Sequence, residues 1–418
     1  MIQSRWNEQE EIRLTTEARS DAERDLALRI YSARLIGEDP DLVLHGGGNS
    51  SVKLTVTGAD GQPQDVIHIK GSGHDLATIG AEGMPAVYAA PLEEFRTLDR
   101  LSDLDMVAGL RRNLIDPAAP TPSIEALLHA YMPGRYVDHT HSTAALVIAN
   151  QPDAAELAAR IYGDQLTVVP YVMPGFELSI AADRVFRRAP AGSEGLFLVN
   201  HGLFTQGETA RQSYLRMIDA VRAAETFLAD CGIVVGPPEA HEPGYDAGAA
   251  PVRALLQDAL APNGLAHVQF CSTPSLRTYS ALPDLAEVSA RGTATPDHVI
   301  RTKPFPLILE RGANKEKLTA ALDDYAQRYR AYFDRNLALT DEPKTMLDPF
   351  PRTVLVPGLG AFGIGNTAVA AGIVVELAEQ TARIILAAEA LGRYHPLSEA
   401  ELFQMEYWSL EQAKLKKG

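Results

Sequence analysis

Two stretches of this sequence follow one plan. Residues 198–228 read as a strand, the turn-rich HGLFTQGETA and a long helix; residues 355–386 read as a strand, PGLGAFGIGNTA and another long helix. Allowing one inserted residue, the element L-V…G-[E/N]-T-A…helix recurs, and the second copy has no histidine where the first has His201. A chain carrying such an element twice is expected to hold a duplicated fold whose second copy has lost whatever His201 serves. At 418 residues there is room for two or three domains, each with its own core. The Pro-, Gly- and Ala-rich stretch VGPPEAHEPGYDAGAAP (235–251) lacks apolar periodicity and reads as a linker. It divides a first domain, 1–234, from a second α/β domain, 252–418, in which HVIRT, PLILE and TVLVP read as strands.

Within the first domain, residues 17–37 have apolar positions at spacings of three and four and predict an amphipathic helix. HGGGNSSVKLTV reads as a glycine turn entering a strand, and VIHIKGSG as a second strand ending in glycines. Residues 91–115 look helical, and TPSIEALLHAYMP predicts a short helix with Thr121 as N-cap and Pro122 at its first position. YVDHTHS and LTVVPYV read as strands, a helix is expected near 179–189, and LFLVNHGLFTQG resembles a hairpin. Helices mixed with short, mostly hairpin-connected strands predict an α/β/α layered fold with a mainly antiparallel central sheet.

A net charge of −16 argues against a nucleic-acid surface, which needs a basic stripe. A small anion stays possible, because local backbone donors override the global field. The N-terminus carries charges where a signal peptide needs an apolar core, and no apolar run reaches the roughly 18 residues of a bilayer span. The two cysteines, Cys231 and Cys271, are far apart, which fits a reducing compartment. A cytoplasmic protein is expected.

His139 and His141 lie two apart in YVDHTHS, so on a strand both rings share one face. His201 follows LFLVN and projects from a strand end into a turn. Three neutral imidazoles with an open fourth position suit Zn²⁺ or a similar divalent ion such as Mn²⁺ or Co²⁺. Spacing alone does not separate this from three ordinary core or surface histidines.

HGGGNSS, KGSG, TPSIE, DHTHS and NHG occur in that order over residues 45–202. This series resembles the class II aldolase/adducin family over about residues 20–230. The resemblance implies that His139, His141 and His201 are metal ligands and that Glu125 is the acid/base, against the plainer role of a favourable charge in a helix's first turn. It implies that Asn49, Ser72, Gly73 and Ser123 line the phosphate and dihydroxyacetone end of the substrate. Ser72 stands where the family usually has threonine. Lys70, beside the second glycine turn, is assigned to the phosphate; His129, one helical turn beyond Glu125, reads as structural. Residues 292–303, 357–365 and 390–413 further resemble the aldolase portion of bifunctional rhamnulose-1-phosphate aldolase/short-chain dehydrogenase proteins, and the dehydrogenase part is expected to be absent. The implied reaction passes the C4 hydroxyl proton of a ketose 1-phosphate to a base, by resemblance a tyrosine that the motifs do not assign, and breaks the C3–C4 bond. The charge left on the dihydroxyacetone phosphate half is stabilised by the metal and quenched by Glu125. A homo-oligomer, by resemblance a tetramer, is expected.

Rival readings stay open. Sugar-phosphate 4-epimerisation or 3-oxo-acid decarboxylation would use the same site, and a non-catalytic adducin-like scaffold would use none of it. Gly358-Leu-Gly360-Ala-Phe-Gly363 matches G-x-G-x-x-G, but no second strand ending in an acidic residue follows at the spacing an NAD site needs. His298, Arg301 and Lys303 are weak candidates for closing the site from the second domain.

Overall fold

The computed structural model describes residues 1–58, 61–190, 192–340 and 342–410. The chain divides into two compact units, one of residues 1–149 and 153–232, the other of residues 150–152 and 233–418.

The first unit is built on seven strands, β1 (Asn49–Thr57), β2 (Pro63–Ile69), β3 (Ala86–Tyr88), β4 (Tyr136–Thr140), β5 (Leu166–Val169), β6 (Gly195–Leu198) and β7 (Gly202–Gly207). They lie in the order β3-β2-β1-β4-β7-β6-β5. Only β5 and β6 run parallel; the other pairs are antiparallel, as the expected α/β/α fold requires. Strand β4 alternates cleanly. Tyr136, Asp138 and Thr140 face the helices Asp21–Gly37 and Ala210–Asp230, where Asp138 meets Arg29 and Ser213 and Thr140 meets Met217. Val137 and His139 face the other way, where Val137 packs with Leu128, Met132 and Phe204. The histidines are therefore on the face covered by the short helix Ala126–Tyr131.

Several local expectations are corrected. The helix of residues 17–37 is Asp21–Gly37, capped by Ser20 and preceded by a separate helix, Glu8–Glu17. Residues 91–115 form two helices, Ala89–Phe95 and Asp103–Arg112, each ended by its own cap. Thr121 is not an N-cap: Pro122 bridges Gly71 and the Ser123 N–H donates to the Lys70 carbonyl at 3.0 Å, so helix begins at Ala126. The helix near 179–189 spans Phe176–Phe186.

The second unit has four strands, β8 (His267–Cys271), β9 (Leu307–Ile308), β10 (Thr353–Val356) and β11 (Gly360–Gly365), ordered β8-β11-β10-β9. Its core gathers Phe270, Leu307, Val354 and Phe362 with Tyr325, Tyr329 and Phe333 of the helix Lys315–Leu337. HVIRT is the helix His298–Thr302 rather than a strand. The proposed linker ends early, because Asp246–Leu260 is helical with Pro251 inside it.

The repeat is now explicit, and it needs no inserted residue. β10-β11 pairs Val356 with Gly360 as β6-β7 pairs Leu198 with Gly202. Both second strands end in a glycine, and a threonine (Thr209 or Thr367) caps the long helix that follows, Ala210–Asp230 or Ala368–Leu391. β11 pairs β8 through Ala361 and Cys271 as β7 pairs β4 through Leu203 and Thr140. β9 joins β10 in parallel as β5 joins β6. The order β8-β11-β10-β9 thus repeats β4-β7-β6-β5. The same register disposes of the G-x-G-x-x-G: Gly358 lies in the β10-β11 turn and Gly360 and Gly363 lie within β11, an antiparallel hairpin with no strand-to-helix phosphate loop. No described helix is long and apolar enough to cross a membrane.

Candidate metal centre

The glycine loop before β1 brings Asn49 beside His139, its antiparallel partner. Gly48 sits at φ +59°, and a Cβ there would press on the His139 carbonyl, so the position suits glycine on both counts. Residues 49, 51 and 53 then share one face of β1, and each reaches the segment around Ala126–Tyr131. The Asn49 Nδ2–H donates to Glu125 Oε2 at 2.6 Å and to Ser123 Oγ at 3.1 Å. Ser51 Oγ lies 2.8 Å from His129 Nδ1, and the Lys53 ammonium donates to the Met132 carbonyl.

His139 lies within β4 and His141 just past its end, and His201 enters from the β6-β7 turn. There Asn200 takes φ +54°, a left-handed conformation asparagine tolerates. Gly202 follows with no room for a side chain against the Thr140 carbonyl. The three rings are buried, and one nitrogen of each lies within 4.8 Å of the others. His139 Nε2 and His141 Nε2 are 3.0 Å apart, near the roughly 3.3 Å that two imidazoles on one tetrahedral zinc at about 2.0–2.1 Å would show. The Leu203 carbonyl lies 2.9 Å from His139 Nδ1 and can only accept, so that nitrogen carries the proton and Nε2 offers its lone pair. Glu125 closes the group, with Oε2 3.6 Å from His139 Nε2 and Oε1 3.5 Å from His201 Nε2. Three imidazole nitrogens, one locked in the ligating tautomer and a carboxylate alongside, fit a divalent cation.

The two glycine turns expected to hold an anion lie against each other. Lys70 Nζ donates to the Gly46 carbonyl at 2.7 Å, so the buried ammonium ties the turns together. Ser72 and Gly73 are exposed beside it. The Gly47 N–H donates to Leu44 O at 2.9 Å and the Ser72 N–H to Thr121 O at 2.7 Å. These two amides are thus spent on loop structure.

Two further residues support the site: His129, read from the sequence as structural, and Asp138, which the sequence did not single out. His129 is wholly buried and joins Ser51 to Asn49, whose Oδ1 its Nε2 contacts. Burial, with His139, Arg29 and Lys53 adding to it, pushes its pKa well below the ordinary imidazole range and keeps it neutral. Asp138, behind the histidines, accepts from Arg29, Ser50 and Ser213. The helical spacing of Glu125 and His129 was the available signal for the first.

In the second unit the repeat register puts Phe270, Ser272 and Leu359 at the places of His139, His141 and His201. None can bind a metal as imidazole does. His298 and Lys303 are buried in that unit, where the Lys303 ammonium donates to Tyr329 Oη at 2.8 Å, while Arg301 is exposed.

Residues 29–228 match the family model for the class II aldolase and adducin N-terminal domain, and residues 246–415 the model for the class II aldolase second domain. A Bacillus subtilis (strain 168) protein named "Uncharacterized oxidoreductase YuxG" is 31% identical over 403 residues. That match takes in 92% of this chain but 57% of the relative, so the chain spans little more than half of it. The solved N-terminal class II aldolase domain of a conserved protein from Thermoplasma acidophilum is 36% identical, with 55% of this chain and 100% of that one covered and a TM-score of 0.48. An L-fuculose-1-phosphate aldolase from Thermus thermophilus is 18% identical, with 48% and 95% covered and a TM-score of 0.33.

Proposed function

Since the chain belongs to the class II aldolase and adducin family, we propose that it is a divalent-metal-dependent aldolase. Its substrate is a ketose 1-phosphate, L-rhamnulose 1-phosphate first among them, cleaved to dihydroxyacetone phosphate and an aldehyde such as lactaldehyde. The observation that carries this reading is the convergence of three buried imidazoles, from β4 and the β6-β7 turn, on one point beside Glu125.

His139, His141 and His201 would hold the ion, which supplies Lewis acidity to the negative charge that develops on the ketone half. Glu125 donates a proton to the carbon left by C–C cleavage, and Asn49 keeps its carboxylate turned toward the histidines. Ser72, Gly73 and Ser123 take the phosphate end, with Lys70 tying the two loops together; the Asn49 amide is committed instead to Glu125, Ser123 and His129. Burial of the ring cluster excludes water, which strengthens each of these electrostatic interactions. The working protein is a homo-oligomer, proposed as a tetramer, which light scattering measures.

A panel of ketose 1-phosphates, assayed for dihydroxyacetone phosphate release, tests the reading. Activity that disappears with EDTA and returns with Zn²⁺, Mn²⁺ or Co²⁺ is expected. Full activity in excess chelator with no metal by elemental analysis overturns the metal role. With a pentulose 5-phosphate and a 3-oxo acid assayed alongside, inversion at C4 of the first or carbon dioxide from the second instead assigns the site to epimerisation or decarboxylation.

A further inference from the structure

Strand β1 and the segment around Ala126–Tyr131 are stitched by a crossed set of contacts. Residues i and i+2 of the strand, Asn49 and Ser51, meet residues i and i+4 of the segment, Glu125 and His129. Asn49 stands in both pairs. Its amide hydrogens go to Glu125 and Ser123, and its carbonyl oxygen goes to His129.

An amide can turn by half a rotation and exchange oxygen for nitrogen at little steric cost. Turned over, Asn49 would face an oxygen lone pair onto the Glu125 carboxylate. The partner that decides between the two arrangements is His129. A neutral imidazole carries one proton. Asn49 Oδ1 can only accept, so the proton belongs on Nε2, and Nδ1 must then accept from the Ser51 hydroxyl.

We propose that His129 is a positioning residue for the reaction. The relay Ser51 Oγ–H to His129 Nδ1, then His129 Nε2–H to Asn49 Oδ1, fixes the Asn49 amide as a donor and so aims the Glu125 carboxylate at the metal-facing side. This rests on the aldolase reading for its kinetics, but the tautomer it requires does not. His129 touches no substrate atom; it acts through Asn49.

The first measurement is nitrogen NMR of the protein with labelled histidine, His129 being assigned by its absence in His129→Gln. A protonated Nε2 and a bare Nδ1 are expected, and Ser51→Ala should move the Nδ1 resonance, which loses its hydrogen-bond donor. A protonated Nδ1 in the wild type overturns the relay whatever the enzyme cleaves. The second is kinetic. His129→Leu should lower kcat by about 10- to 100-fold with KM changed less than about threefold and metal content retained. His129→Gln, which keeps an N–H at that end, should recover most of the loss. In the double variant with Asn49→Ala the His129→Leu loss should vanish, because the two act as one unit. Additive losses, or no loss, overturn the proposal. If His129→Leu fails to fold, Ser51→Ala reads the relay from its far end, with a loss of about 3- to 10-fold expected and the same non-additivity with Asn49→Ala. If the wild type cleaves no sugar phosphate, the functional reading falls while the NMR result still decides the relay.

Discussion

Arg29 Nη2 lies 2.6 Å from Asp138 Oδ1, and neither side chain exposes any surface. The pair sits directly behind the histidines, because Asp138 is the back-facing neighbour of His139 on β4. Ser50 and Ser213 also donate to the carboxylate, at 2.7 and 2.5 Å, so one anion joins β1, β4 and two helices. Asp138→Ala leaves a buried guanidinium without its counter-charge, and a loss of roughly 3–5 kcal/mol is expected in urea unfolding. Replacing both partners by apolar residues, Arg29→Met with Asp138→Leu, should cost less than the single change. A single variant within about 1 kcal/mol of wild type would mean that the pair contributes little.

Glu125→Gln removes a proton carrier while keeping an oxygen that Asn49 can donate to. General acid–base contributions run to about 10²- to 10⁴-fold, so kcat should fall by that order. The three imidazoles are untouched, and elemental analysis should find the metal retained. Wild-type turnover in this variant would remove Glu125 from the chemistry.

Lys53 supplies the pH dependence. Burial lowers its pKa to about 8, with Glu93 opposing that shift, although its ammonium donates to the Met132 carbonyl and borders a cavity of about 900 Å³. An unfolded lysine titrates near 10.4. Between about pH 8 and that value the unfolded chain holds more protons, so stability should rise with pH across the window. Below pH 8 the cost of burying the charge is present in full. Comparing melting temperatures of wild type and Lys53→Met from pH 7 to 10.5 isolates the effect: the gap should change along the series, and parallel curves would contradict it.

What could be read beforehand divides by range. The His139/His141 pair was legible because a period of two is local, and Gly202 beside His201 marked a turn. The Arg29–Asp138 pair spans two distant elements, and neither residue announces burial in sequence. HVIRT read as a strand from its β-branched residues, but those preferences are worth only tenths of a kcal/mol each. Pro296 and Pro304 bracket the segment, and the fold uses it as one helical turn. TPSIE failed as a helix start for a similar reason. Its first residues are drawn into the Gly71 bridge, a tertiary contact that overrides the local N-cap pattern. The repeat was visible only as a fragment, and was read one residue out of step because both copies contain Leu-Val just before the turn.

That repeat offers a paired test. Gly202 and Gly360 occupy equivalent places, at φ +156° and +139°, and a Cβ on either would run into a neighbouring strand's carbonyl, that of Thr140 or of Cys271. Alanine at each should therefore cost a similar amount, about 2–4 kcal/mol from overpacking and backbone strain together. The chemical consequences should differ. Gly202 lies between His201 and the Thr140–His141 strand end, so Gly202→Ala should also spread the ligands and lower metal content. Gly360 lies between Leu359 and Ser272, which carry no imidazole. Gly360→Ala should lower the unfolding temperature yet leave metal content and turnover per folded molecule unchanged. Equal loss of metal in both variants would show that the second copy is not the inert one.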